Sequence, residues 1–140
     1  MFNNSKKINL EGAKLLANEA RKKAIELQVP GAVAVVDDGG NLVYVERWDN
    51  TMIYAVDIVI NKAKTALGFR RPTIALERTI DEGRSAMLGL INTIAYAPLK
   101  GAYPIAMDGE LIGAIAVGGT LNADLDEVIV LAALKSIKVK

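Results

Sequence analysis

Apolar residues recur along the chain with two different periods, and the alternation between them lays out its elements. Leu10, Ala13, Ala17, Ala20, Ala24 and Leu27 return every three or four positions, which predicts a helix with one apolar face. Asn9 stands where an N-cap side chain accepts from a free amide of the first turn, and Val29-Pro30 closes the segment. Glu11, Lys14, Asn18, Arg21 and Lys22 fall on the opposite face. The stripe is mostly alanine, so this helix should approach its partner closely. Residues 31–36 (GAVAVV) form a continuous apolar run, suited to a strand covered on both sides. Residues 37–41 follow as a glycine-containing turn, and residues 42–47 alternate with a period of two, completing a β-hairpin.

Residues 52–71 return to the helical period, with Val56, Val59, Ile60, Ala63, Ala66 and Leu67 as the stripe. Pro72 ends that helix, and residues 73–82 make a shorter one. Residues 83–99 are ambiguous: 86–91 reads as a helical turn or a buried loop, and 86–99 could add a strand. Residues 103–107 and 111–117 form a second hairpin about Asp108-Gly109. Gly118-Gly119-Thr120 breaks the chain before a last helix, 122–137, with Leu125, Val128, Ile129 and Ala132 inward. Asp124, Asp126 and Glu127 sit in its first turns, where the helix dipole favours negative charge. The order helix–hairpin–helix–helix–hairpin–helix is a loose duplication. It predicts an α+β fold with one antiparallel sheet from two hairpins, in a single domain spanning 1–140 with a polar arm at 1–8. Strands apolar on both sides need cover on both sheet faces, part of which another subunit could supply.

Composition narrows the chemistry. With 140 residues, 51% of them hydrophobic and 24% charged, the chain is a folded domain and not a disordered one. Seventeen basic residues against sixteen acidic ones leave a net charge of +1, which favours neither nucleic acid nor a membrane surface as partner. Cysteine and histidine are both missing. That excludes disulfides, zinc-thiolate and iron–sulfur sites, a thiol nucleophile, a Ser-His-Asp triad and imidazole ligation of metal or haem. The first nine residues are polar, with Lys6 and Lys7, and lack the apolar core of a signal peptide. The longest uncharged stretch, 86–99, has 14 residues, short of the roughly 20 that span a bilayer. The expected location is cytoplasmic.

An ordered set of short motifs carries a resemblance. Val35-Val36-Asp37 with Gly39-Gly40, Arg47-Trp48-Asp49, Lys62-Ala63, Thr65-Ala66, Phe69 and Pro72-Thr73 come first. Pro104-Ile105, Asp108-Gly109, Ile112-Gly113-Ala114-Ile115 and Asp126-Glu127 follow. Over roughly residues 8–135 the chain resembles the GlcG/HbpS family, whose members are labelled haem-binding or haem-degrading and include the C-terminal domain of PduO-type proteins. The resemblance implies a profilin-like three-layer α/β/α fold and assembly into homodimers and often octamers. It also implies a haem or corrinoid ligand, here without histidine ligation. The chain departs from the commoner pattern at Val117-Gly118-Gly119, where a serine is usual, and at Lys100-Gly101-Ala102, where two glycines are usual.

Lys62 is the leading candidate contact. It lies on a mixed strip with Ile58, Thr65 and Phe69, either snorkelling to solvent beside acids such as Glu77 and Asp81 or holding an anion together with Arg70 or Arg71. Tyr103 and the Gly118-Gly119-Thr120 turn are expected nearby, the turn reading either as an anion-accepting helix start or as a simple connection. Tyr44, Tyr54, Tyr96 and Tyr103 are the side chains that could supply an iron phenolate, although tyrosine is far commoner at an edge or interface. The uncharged 86–99 stretch fits a packed or intersubunit surface. Asp37-Asp38-Gly39-Gly40 lacks the spaced ligands of a calcium loop. The expected function is binding of a small molecule, an anionic metabolite or a tetrapyrrole. An enzyme using Lys62 for proton transfer on a small carboxylate, and a purely structural assembly module, are the alternatives.

Overall fold

Two hairpins meet through their inner strands. The structure, a computed structural model, describes residues 1–137. In chain order the elements are α1 (Leu10–Leu27), β1 (Ala32–Asp37), β2 (Leu42–Arg47), α2 (Ala55–Phe69) and α3 (Thr73–Asp81). A 3-10 helix (Ser85–Asn92), β3 (Ala102–Met107), β4 (Glu110–Gly118) and α4 (Ala123–Ser136) complete it. The strands form one four-stranded antiparallel sheet in the order β2-β1-β4-β3. The hairpins join where β1 pairs β4, with Ala32 opposite Gly118 and Asp37 opposite Gly113.

The alternation of β1 and β4 sorts large from small side chains. Val33, Val35, Ile115 and Val117 point to one face, where they pack with Leu16, Ala17 and Ala20 of α1 and Ile129 and Val130 of α4. Ala32, Ala34, Ala114 and Ala116 point to the other, under Ala55, Val59, Ala63 and Ala66 of α2. Both faces are therefore covered by this chain's own helices, giving three layers, α/β/α. Burying each larger aliphatic side chain stabilises the fold by about 1.5–3 kcal/mol.

The helix starts follow their caps. The Asn9 side chain accepts from the Gly12 amide at 2.9 Å, and the Asn122 side chain accepts from the Leu125 amide at 3.0 Å. The polar arm runs across both hairpin turns. Lys6 Nζ meets Asp108 at 3.1 Å, Ser5 bonds Asp38, and the Ile8 amide donates to Ile112 O.

Three expectations change. Leu10 is half exposed, because Ile8 fills the core at that end and Leu16 joins the buried stripe. The inward face of α4 is one residue further on than the apolar pattern suggests: Ile129, Val130 and Ala133 are buried with Asp126, while Val128 is exposed. Asp126, expected as a solvent-facing acid of the first turn, takes the inward place expected of Leu125. The 86–99 region adds no strand; 85–92 is a 3-10 helix with no buried residue. Among the described residues no helix is long and apolar enough to cross a membrane.

Candidate functional site

Lys62 emerges from α2 on the alanine face, where small neighbours leave a long side chain room to run inside the protein. It is 1% exposed. Its Nζ donates to Lys100 O at 2.8 Å and to Asp126 Oδ2 at 3.5 Å. Asp126 in turn accepts from Thr120 Oγ1 at its other oxygen. Burial pulls the Lys62 ammonium below the usual lysine value, against the opposing attraction of Asp126. Burial likewise lifts Asp126 above the usual carboxylate range, while Lys62 and Thr120 hold it down. Glycine closes the cage: a Cβ on Gly101, at φ +117°, would lie 2.5 Å from Lys62 Nζ, and one on Gly118 would lie 3.4 Å away.

The strip 97–102 that covers Lys62 is tied down by side chains from three helices. Thr65 of α2 accepts from the Ala97 amide at 2.9 Å, and Glu77 of α3 accepts from the Lys100 amide at 3.0 Å. Thr73 of α3 accepts from the Ala102 amide, and Glu127 of α4 accepts from the Gly101 amide at 2.7 Å. The second oxygen of Glu127 accepts from Tyr103 OH at 2.6 Å. Burial and that carboxylate push Tyr103 up to about 12, so its hydroxyl stays protonated.

The structure thus gathers Lys62, Tyr103, Gly118 and Thr120 around one internal network, with Gly119 in the adjoining turn. Lys62 neither snorkels nor pairs with Glu77 or Asp81 across an exposed face; its counter-charge is Asp126. Arg70 and Arg71 are not part of the network. They are exposed at the end of α2, Arg70 as its left-handed C-cap, about 12 Å along the axis from Lys62 at 1.5 Å per residue. Asp126 and Glu127 are the network members that residue type alone failed to flag. Their signal was spacing: adjacent acids in a first turn, on two different faces.

A groove of about 590 Å³ opens at that same end of α2. Leu67, Phe69, Ile94 and Ala95 supply its apolar lining, and Gly39, Gly40 and Gly68 line it without side chains. Lys64 and Asn41 supply its polar edge. Tyr96 lies immediately behind, 8% exposed, its ring centroid 6.0 Å from that of Phe69. Its hydroxyl is buried with no hydrogen-bond partner, the one such side-chain atom among the described residues. A second groove, about 420 Å³, lies between α1 and β2. Its polar centre is Glu46, already saturated by Arg21, Tyr44 OH and Trp48 Nε1 at 2.9–3.0 Å.

Comparison with known proteins places this architecture. The model of the family described as haem degrading protein HbpS-like matches residues 8–135. The chain belongs to the HbpS-like family. It is 36% identical over 119 residues, 84% of each chain, to an uncharacterised 15.0 kDa protein of Citrobacter freundii from the dhaT-dhaS intergenic region. The crystal structure of HbpS superposes with a TM-score of 0.88 at 26% identity, over 98% of this chain and 94% of that one. The crystal structure of a PduOC:haem complex gives 0.86 at 26% identity, over 96% and 97%. As an HbpS-like protein, the chain shares its fold and a family-level association with ligand binding.

Proposed function

We propose that this HbpS-like protein binds a flat, anionic small molecule, a tetrapyrrole or an aromatic or alicyclic carboxylate, in the groove beside Phe69. The supporting observation is the groove itself, whose volume lies within the range of small-molecule sites and which joins apolar walls to a lysine. Arg70 and Arg71 follow Phe69 in sequence and are exposed at the same end of α2. The PduOC:haem complex supports the tetrapyrrole version through a related fold.

The residues fit the rim of such a ligand and not an axially ligated iron. The chain has no histidine or cysteine, Tyr44 and Tyr103 are committed to carboxylates, burial raises Tyr96 so that it stays a phenol, and Tyr54 is exposed at the start of α2, outside the groove lining. Haem would therefore be held by its ring and propionates, and a corrinoid by its ring and side-chain amides. Proton transfer by Lys62 on a small carboxylate draws less support, since a base must reach its substrate and this one is enclosed. The Lys62 network serves here as the frame beside the groove: Thr65, one turn on, contacts both Ala95, which lines the groove, and Ala97 of the strip.

The test is a titration of the purified protein with haemin, followed by Soret absorbance and competed with a cobalamin, repeated on Gly68→Trp. Gly68 has open space where a Cβ would sit, so the substitution fills the groove without strain. Saturable one-to-one binding that Gly68→Trp reduces at least about tenfold supports the reading. Binding unaffected by the indole places the ligand elsewhere.

We further propose self-association through the uncharged segment after α3, where Leu88, Ile91 and Ile94 are exposed. Light scattering checks it: a stable 15.0 kDa monomer at high concentration would refute it.

A further inference from the structure

We propose that the Tyr96 hydroxyl is the recognition group of the Phe69 groove, donating its hydrogen bond to a carboxylate of the ligand while Lys64 meets that carboxylate's charge. The inference rests on the groove being the ligand site. A buried hydroxyl without a partner gives up its hydration for nothing, and native proteins retain such groups rarely. Here the Tyr96 ring packs against Phe69, with centroids 6.0 Å apart, and both Phe69 and Ala95, the residue before Tyr96, line the groove.

The Ile94–Ala95 side of the groove is held by few contacts. The 3-10 helix leading to Ile94 buries none of its residues, and Ala95 O meets Thr65 Oγ1 only at 3.5 Å, the limit of a hydrogen bond. Ala97, by contrast, is held at 2.9 Å. For the hydroxyl to reach a guest, Ile94 and Ala95 would have to shift outward, which the weak Ala95 contact permits while Ala97 stays held. Burial raises Tyr96 above the ordinary tyrosine value, which keeps the proton in place for donation. The groove's one ammonium, Lys64, is without an ion pair among the described residues. Donor and cation together select a carboxylate-bearing guest over its neutral counterpart.

Protoporphyrin IX and its dimethyl ester are the probes, since they share the ring and differ in charge and acceptor strength. Fluorescence titration should show the free acid binding about tenfold more tightly than the ester. Tyr96→Phe should weaken the acid by about tenfold, leave the ester unchanged, and leave the melting temperature of the free protein equal or higher. Lys64→Gln should narrow the same preference with Tyr96 intact. Unchanged acid affinity in Tyr96→Phe overturns the proposal and leaves the groove reading standing. Equal weakening of acid and ester reduces Tyr96 to a packing residue and also overturns it. A Tyr96→Phe protein that melts lower shows that the hydroxyl already had a partner, with the same consequence. If the unaltered protein binds neither probe, this inference and the tetrapyrrole version of the groove reading fall together.

Discussion

On the face under α1 and α4 the sheet presents Val33, Val35, Ile115 and Val117; under α2 it presents Ala32, Ala34, Ala114 and Ala116. The first face fills its layer with bulk. The second lets backbone and helix touch: a Cβ on Gly118 would lie 3.0 Å from a Val59 methyl, and one on Gly119 would lie 2.6 Å from that of Ala55. The large-residue face removes apolar area from water. The alanine face gains less from burial and spends its space on a charged side chain that crosses the interior to reach a loop. Cohesion and positional order are thus divided between the two sides of one sheet.

The largest effect should come from breaking the polar side. Asp126→Leu strands the Lys62 ammonium and should cost about 3–5 kcal/mol in denaturant unfolding. Adding Lys62→Met should restore most of it, because two apolar residues can replace a buried pair. A double variant no better than the single one would mean that Asp126 matters through Thr120 alone. Next come two opposite insults to the faces themselves. Ile115→Ala should cost about 2–5 kcal/mol by leaving a cavity. Ala116→Leu, one residue along, should cost about 1–3 kcal/mol by overpacking against α2. If Ala116→Leu is neutral, the alanine face is loosely filled and the contrast fails.

The smallest effect is a pH dependence. Lys62 has a native value below its unfolded one, so between the two the unfolded chain binds the extra proton. Stability of the unaltered protein relative to Lys62→Met should therefore rise as pH passes through that lowered value towards 10.5. Tyr103 runs the other way. Its contribution is intact below 10.0 and is lost as pH climbs through about 12, and it cancels in the comparison because both proteins keep it. Unfolding free energies of the two proteins from neutral to alkaline pH provide the check.

Most of the frame was legible in the chain. Asn9 capped the helix it was expected to cap, both hairpins turned where glycine and aspartate permitted, and strands apolar on both sides were covered on both sides. The candidate site was less legible, for a physical reason. Periodicity reports which face of an element is buried by its apolar residues, and Lys62 and Asp126 are buried polar residues 64 positions apart. Each looks like surface until the other is placed beside it. The misjudged phase of α4 has the same origin, since Asp126 occupies a core position. The segment 85–92 misled in the opposite sense: its apolar composition suggested burial, and its own chain buries none of it fully, leaving Met87 and Leu90 half-covered.

The tie points of the strip 97–102 also have an order in time. Every one joins residues 23 to 38 positions apart, and together they call on α2, α3 and α4. None can close until those helices have docked on the sheet, so the strip should lock last on the way in and work loose first on the way out. Changes there would then shorten the lifetime of the folded protein while hardly slowing its formation.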